Sequence, residues 1–479
     1  MILLNGQPLT LSEIERVALG VESVSAHPDA LNRMRASRAV VDGILERGDV
    51  VYGVNTGFGR LSDITLPPEK LRASQLNLIR SHACGVGKPL SAPEVRALML
   101  LRANVLATGF SGARPEVLEA LISMIEGRIH PIIPEKGSVG ASGDLAPLAH
   151  LALALVEGGR LELEAKEGLV LINGTQAMGA VGSLSIIRAL RLLEVATLIG
   201  ACTLEALLGT PAAFDPRVHK ARPHAGQVRV AAQLTQYLQG SEIRQSHVTG
   251  DPRVQDAYAL RCMPQVHGSV WDTLQFARNV IEIESGSGTD NPLVFTETGE
   301  VISGGNFHGA PLAHAFDFAA IVLTDLMSMS ERRTERLVNP DLSEGLPAFL
   351  ARDVGAASGM MIPHVVVAAL LNEAKVLSHP SSVDNVPTSA GKEDHVSMGM
   401  TGALKLRQIV ENLSLVLAIE AIAACEGLEH RRPLRSSSQI EKLHDWVRET
   451  VKPLSEDRSL TSDIEGLAQR LAELELPFK

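Results

Sequence analysis

The sequence predicts a mainly α fold, a long-helix bundle core with a mixed N-terminal portion. Aromatic residues make up only 3% of the 479 residues, while Ala, Leu and Val fill long stretches that break at Gly and Pro. From Leu406 the apolar positions Val410, Leu413 and Leu417 follow a helical period, and Leu415, Ile419 and Ile422 carry the stripe around the helix. A helix apolar most of the way round belongs inside a bundle. No alternating runs of comparable length compete with these segments.

In chain order, the same reading places helices on 146–156, 181–208, 316–329 and 365–377, ahead of the one from 406. The expected division is residues 1–195 as the N-terminal portion, bearing a Gly-rich loop at 137–144, and 196–479 as the helical bundle core. No linker rich in Pro, Gly or Ser separates the two, and no internal repeat is present.

Composition restricts the function. A net charge of −11, with no block of like charge, disfavours nucleic acid and anionic membrane as partners. The four cysteines lie far apart with no C-x-x-C spacing, so neither a zinc knuckle nor a disulfide framework is expected. Met1-Ile-Leu-Leu-Asn lacks the features of a signal peptide, and no apolar run approaches the roughly 18 residues of a membrane span. A soluble, cytoplasmic protein is the expectation. The 15 histidines include no H-E-x-x-H or other metal spacing, so no metal site is expected.

Chemistry is sought on the irregular stretches, because loops held by a rigid scaffold carry most sites. Five stand out: Tyr52-Gly-Val-Asn-Thr-Gly-Phe-Gly59, Ser81-His-Ala-Cys-Gly-Val-Gly87, Gly137-Ser-Val-Gly-Ala-Ser-Gly-Asp144, Gln255-Asp-Ala-Tyr-Ala-Leu-Arg261 and Ser389-Ala-Gly-Lys-Glu-Asp-His395. In Ala141-Ser142-Gly143, three small residues in a tight turn let the Gly143 nitrogen reach the Ala141 carbonyl carbon. Cyclisation and dehydration of Ser142 then leave an electrophilic methylidene. The tripeptide recurs as Ala357-Ser358-Gly359, so context has to separate the copies. Only the first has Gly137 and Gly140 upstream, and Asp144 is placed to cap a following helix that accepts Pro147 in its first turn. The positive end of that helix favours negative charge developing on an electrophile.

Only three tyrosines occur, and Tyr52 and Tyr258 sit in irregular segments where packing does not demand them. Each is a candidate acid or base, with a phenol pKa that a neighbouring positive charge can lower, or a buried tyrosine with a satisfied hydroxyl. Arg261, three residues after Tyr258, faces the same side of a helical turn and can grip a carboxylate bidentately, unless it is a solvated surface residue. His82, followed by Gly85 and Gly87, and Glu393 are further candidates.

Together these segments resemble the aromatic amino acid ammonia-lyase family, and within it the histidine branch, along nearly the whole chain. The resemblance rests on the 52–59 motif, Gly137 through Leu148, Asn173-Gly-Thr-Gln176, Gln255 through Gly268, Gly304-Gly-Asn-Phe-His308 and Glu393-Asp-His-Val-Ser-Met398. It implies that Ala141-Ser142-Gly143 becomes 4-methylidene-imidazole-5-one (MIO), with no external cofactor, and that Ser358 is a bystander. It further implies that the amine of a small amino acid adds to the methylidene, that Tyr52 removes the β-proton, and that trans-urocanate and ammonia leave. By the same resemblance Arg261 clamps the carboxylate with help from Asn173. Tyr258, Gln255 and Phe307 wall the MIO, and each site draws on three chains of a homotetramer.

For substrate choice, His82 is compatible with histidine or tyrosine, whereas Glu393 can pair with an imidazole and is poorly paired beside a phenyl ring. Two departures from the histidine branch are Gly309-Ala310, where Ala-Glu is common, and Lys392, where Gln is usual; a Lys392–Glu393 pair would alter the role of the carboxylate. The alternatives are a tyrosine or phenylalanine ammonia-lyase or 2,3-aminomutase with the same MIO, and an inactive scaffold protein. A fumarase-type lyase is disfavoured because Thr289-Asp290-Asn291-Pro292 stands where its mobile loop needs Met-Pro-x-Lys.

Overall fold

The computed structural model describes residues 1–473. It is mainly α. The expected segments fall in helices Leu145–Glu157, Gln176–Ala206, Ala310–Val338, Met361–Leu377 and Gly399–Arg431. Leu207 and Leu208 lie past the end expected for the second of these, where Leu208 turns to a positive φ of 52°. Leu406, Val410, Leu413 and Leu417 are buried, as their spacing requires. Among the described residues strands occur only as short pairs: Ile2–Leu4 parallel to Val24–Ala26, and Val86–Pro89 and Leu293–Phe295 antiparallel to Pro134–Lys136 and Glu300–Ile302. The last pair lies outside the N-terminal portion in which mixed structure was expected.

The chain forms two compact units. The first comprises Met1–Ile187, Ala277–Asp317 and Pro380–Lys405; the second comprises Arg188–Phe276, Phe318–His379 and Leu406–Lys479. The sequence division at 195/196 falls in the same helix as the first crossing point.

In the first unit, Thr10 and Ser91 close capping boxes with Glu13 and Glu94 and so start Leu11–Ala18 and Ala92–Ala107; a capping side chain contributes about 1 kcal/mol. Ala92–Ala107 is buried almost throughout, Arg102 included. The Arg102 guanidinium donates to the Asn173 carbonyl (2.7 Å), to Gln176 Oε1 (2.6 Å) and to the Val170 carbonyl, which fixes the backbone that carries Asn173. Burial lowers its pKa to about 10, so it remains a cation at neutral pH.

In the second unit apolar helices pack around a fully buried charge pair. Arg333 and Glu420 are both fully buried, with Nε to Oε1 at 2.5 Å, and Thr203 and Ser330 donate to the same carboxylate. Its remaining lone pairs are thus satisfied, which a buried ion pair needs if desolvation is not to outweigh attraction.

Two helices, Ala310–Val338 and Gly399–Arg431, are long and apolar enough to cross a membrane, which corrects the reading that no run approaches a span. Their most apolar windows are 61% and 83% buried in the protein, as core helices are.

Candidate active site

Five irregular segments of the first unit converge, bearing Tyr52, Ser142, Asn173, Phe307 and Glu393. Tyr52 stands on a turn tied by Asn55, whose side chain accepts from the Val51 N–H (2.9 Å) and donates to the Asp49 carbonyl. The 137–144 loop is fixed at both ends. Ser397 Oγ donates to the Gly140 carbonyl (3.0 Å), Met398 N–H to the Val139 carbonyl (2.8 Å), and Asp144 N–H to the Gly174 carbonyl (2.7 Å). Gly143 lies at φ +72°, and a Cβ there would stand 2.1 Å from the Gly174 oxygen, so no other residue fits. The Gly143 N–H has no hydrogen-bond partner among the described residues.

Asp144 begins helix Leu145–Glu157 but does not cap it with its side chain, which corrects the capping role read from the sequence. Its carboxylate instead accepts from Ser138 Oγ (2.7 Å) and from the Met178 N–H (2.8 Å) at the start of Gln176–Ala206. Complete burial raises its pKa to about 6 against those donors.

Two cavities share Tyr52, Gly59, Ser142 and Glu393. The first, about 510 Å³, is walled by Leu78, Leu145, Leu169 and Ile172 and carries His82 and Asn173. The second, about 480 Å³, is polar and carries Ala141, Phe307, His308, Lys392 and His395. Ser142 Oγ donates to Glu393 Oε1 at 2.7 Å, and Asn173 Nδ2 donates to the Ser142 carbonyl at 3.3 Å, while Asn173 Oδ1 is buried without a partner. Glu393 has no ion pair with Lys392 among the described residues; its second oxygen accepts from Thr388 Oγ1 at 2.6 Å.

Tyr52 departs from the sequence reading. Burial, with the Glu393 and Asp290 carboxylates adding to it, raises its pKa, against one lowering contact from the Gly59 backbone. The side-chain charges that shift this phenol are two carboxylates, so among the described residues no positive neighbour lowers its pKa as the sequence reading expected. His82 also differs: it is the last residue of helix Pro68–His82, its Nδ1 beside the Leu78 carbonyl (2.8 Å), rather than part of a loop.

Tyr52, His82, Ala141, Ser142, Gly143, Asn173, Phe307 and Glu393 thus come together in one unit. Gln255, Tyr258 and Arg261 belong to the other and line neither cavity. There Arg261 stacks on Tyr258, its Cζ 4.6 Å from the ring centroid, as their three-residue spacing predicts.

A family model described as aromatic amino acid lyase matches residues 9–161 and 157–449. The chain belongs to that family. A histidine ammonia-lyase from Anaeromyxobacter sp. (strain K) is 50% identical, with 98% of both chains aligned. The crystal structure of histidine ammonia-lyase from Trypanosoma cruzi superposes with a TM-score of 0.90 at 40% identity, covering 98% of this chain and 93% of that one. Tyrosine aminomutase from Streptomyces globisporus superposes at 0.93 with 35% identity over the whole of both chains. The aromatic amino acid lyase backbone therefore does not select the substrate, and the side chains around Ser142 have to.

Several site residues escaped the sequence reading. Leu78, Leu145, Leu169 and Ile172 look like ordinary helix-face residues, and Thr388 lies just outside the stretch singled out. His395 stacks on His308 with centroids 5.7 Å apart; both stand in quoted motifs, but no pattern pairs them. At Gly309, one of the two departures, a Cβ would come within 2.7 Å of the Met178 thioether and Ser397 Oγ, so a larger residue there requires those side-chain ends to shift.

Proposed function

We propose that this protein is a carbon–nitrogen lyase that deaminates L-histidine without oxidation, releasing trans-urocanate and ammonia. The observation that carries the proposal is Glu393, 2.7 Å from Ser142 Oγ and in the same cavity as His82. A carboxylate there can accept an imidazole N–H, whereas beside a phenyl ring it loses a partner at about 1–3 kcal/mol. The names of the relatives point the same way.

The loop fits the MIO group that the family generally uses. Gly143 has no room for a side chain, its N–H is uncommitted, and Ala141 is a small, buried residue. MIO, made from Ala141, Ser142 and Gly143 with loss of two waters, supplies an electrophile for the α-amino group. Leu78, Leu145, Leu169 and Ile172 pack a flat ring and exclude water from it. His82 and Glu393 fix the ring's polar edge, and the unpaired Asn173 Oδ1 accepts from the substrate. Tyr52, next to Ser142 in both cavities, takes the β-proton onto its phenol oxygen.

The tyrosine, phenylalanine and aminomutase readings keep the same electrophile and differ in the ring pocket. We further propose a homotetramer in the cytoplasm in which Gln255, Tyr258 and Arg261 reach each site from other copies of the chain. Tyr258 is 70% exposed, and Arg261 Nε is buried with no partner. Both features suit residues completed by a neighbouring copy, and a cation arriving that way would oppose the raised pKa of Tyr52.

The test is an absorbance assay on histidine, tyrosine and phenylalanine side by side, with amine products identified by mass. Formation of trans-urocanate from histidine, well ahead of cinnamate or coumarate, is expected. A preference for tyrosine, or formation of a β-amino acid, would replace the substrate reading and leave the family membership intact.

A further inference from the structure

We infer that Thr388 is a positioning residue that aims the Glu393 carboxylate at the substrate ring; this rests on the histidine reading above. Among the described residues Glu393 has two side-chain donors, Ser142 Oγ on Oε1 and Thr388 Oγ1 on Oε2 at 2.6 Å. Ring formation removes the Ser142 hydroxyl, because that oxygen leaves as water. Oε1 is then released towards the cavity, and among the described residues the Thr388 hydroxyl is the side-chain hydrogen bond that remains on the carboxylate.

The backbone reinforces the same pair. Thr388 N–H donates to the Glu393 carbonyl (2.8 Å) and Glu393 N–H to the Thr388 carbonyl (3.3 Å), closing a six-residue loop. Inside it Ser389, Ala390 and Gly391 all have positive φ, at 52°, 52° and 82°. Two of these are side-chain-bearing residues in a conformation such residues seldom adopt, which persists only when the surroundings over-determine it. Gly391 N–H returns to the Thr388 carbonyl (3.0 Å), so Thr388 is where the loop is pinned. The loop therefore brings the hydroxyl of residue 388 back onto the carboxylate of residue 393. A carboxylate held through one oxygen presents the other without first giving up rotamer freedom, which is preorganisation for a ring N–H.

The test uses the full-length protein. Thr388→Val keeps the branched shape and deletes the hydroxyl, and Thr388→Ser keeps the hydroxyl. Intact mass should show the loss of two waters in both variants. Thr388→Val should lower kcat/KM for histidine about tenfold and leave slow turnover of phenylalanine within twofold, while Thr388→Ser stays near wild type. In a Glu393→Gln background Thr388→Val should add nothing. As a readout independent of turnover, calorimetry on Ser142→Ala, which already lacks the hydroxyl, should show histidine binding weakened about tenfold by adding Thr388→Val. Unchanged histidine kinetics and binding in Thr388→Val, equal losses for histidine and phenylalanine, additive losses with Glu393→Gln, or a full-length mass without ring formation would each overturn the inference. A wild type that does not act on histidine would instead overturn the substrate reading on which it rests.

Discussion

The chain carries the same tripeptide twice, and the two copies differ in what their amides and carboxylates are doing. In Ala141-Ser142-Gly143 the third residue's N–H is uncommitted, its Cα is pressed against the Gly174 carbonyl, and the serine hydroxyl points at Glu393. In Ala357-Ser358-Gly359 the Ser358 and Gly359 N–H groups both donate to Asp457, at 2.7 and 2.9 Å, and the Ala357 N–H donates to the Asp353 carbonyl. The nitrogen that would have to attack is already a donor to a carboxylate. Composition is identical; the difference lies in long-range partners. Each copy also has its own aspartate, shifted in the opposite direction. Asp144 is raised by burial, whereas Asp457, in solvent, is lowered by the two amides it accepts from.

The largest expected effect breaks one copy at a time. Wild type and Ser358→Ala should be lighter than the translated sequence by about 36 Da, and Ser142→Ala should not. Activity should vanish only in the last. A wild type of full mass would remove the distinction between the copies altogether.

Next in size is Tyr52→Phe, expected to cost about two to four decades of turnover while the mass loss is retained. In wild type, activity should rise from neutral pH towards about pH 9, as the amine becomes neutral and the phenol ionises. Because burial and two carboxylates raise the Tyr52 pKa within its unit, the rise should continue beyond pH 9 unless a cation from another copy intervenes. A plateau lost in Arg261→Ala would identify that cation, and a profile peaking near pH 5 to 6 would remove Tyr52 as the base.

The sequence exposed the elements far better than the contacts between them. The stripe from Leu406 and the Ala- and Leu-rich runs mark helices because a 3.6-residue period is local information. The Gly-rich loops were visible for the same reason: Gly140 and Gly143 need backbone angles that only local composition reports. What local reading cannot supply is a partner more than a few turns away. Asp144 precedes a helix and so resembles its cap, yet its carboxylate serves the N-terminus of a different helix that arrives 34 residues later. Thr388 carries no signal of its own, because it matters only through a loop closure at Glu393. His82 was placed on a loop by the glycines that follow it, although the helix from Pro68 runs on to include it.

A smaller effect separates the two aspartates by stability. Asp144 has a folded pKa of about 6, above the ordinary carboxylate value, so its protonated form is favoured by folding. The associated stability is fully present below the unfolded pKa and is lost as pH rises through about 6, on the order of 2–3 kcal/mol. Asp144→Asn should therefore flatten the fall in denaturation midpoint between about pH 4 and pH 6. An unchanged slope in that variant would show that another group sets it.

The smallest effect concerns Asp457, and it asks whether a committed amide is enough to keep the second copy inert. Its folded pKa is depressed by the Ser358 and Gly359 N–H groups, so its contribution is present at neutral pH and lost as pH falls through that lowered value. Asp457→Ala should lower the melting temperature slightly at pH 7, with the difference from wild type shrinking in acid. It should not create a second ring. Freeing the Gly359 nitrogen leaves the rest of the setting unlike the first copy: Gly359 has a φ of +51° and its own close neighbour in the Phe349 carbonyl, to which the Met360 N–H donates (2.8 Å), whereas the first copy is tied through its Val139 and Gly140 carbonyls and its Asp144 N–H. Combining Asp457→Ala with Ser142→Ala makes the measurement clean, because any loss of about 36 Da must then come from residues 357–359. Full mass is expected. A loss would mean that one carboxylate, rather than the whole cradle, is what separates the two copies.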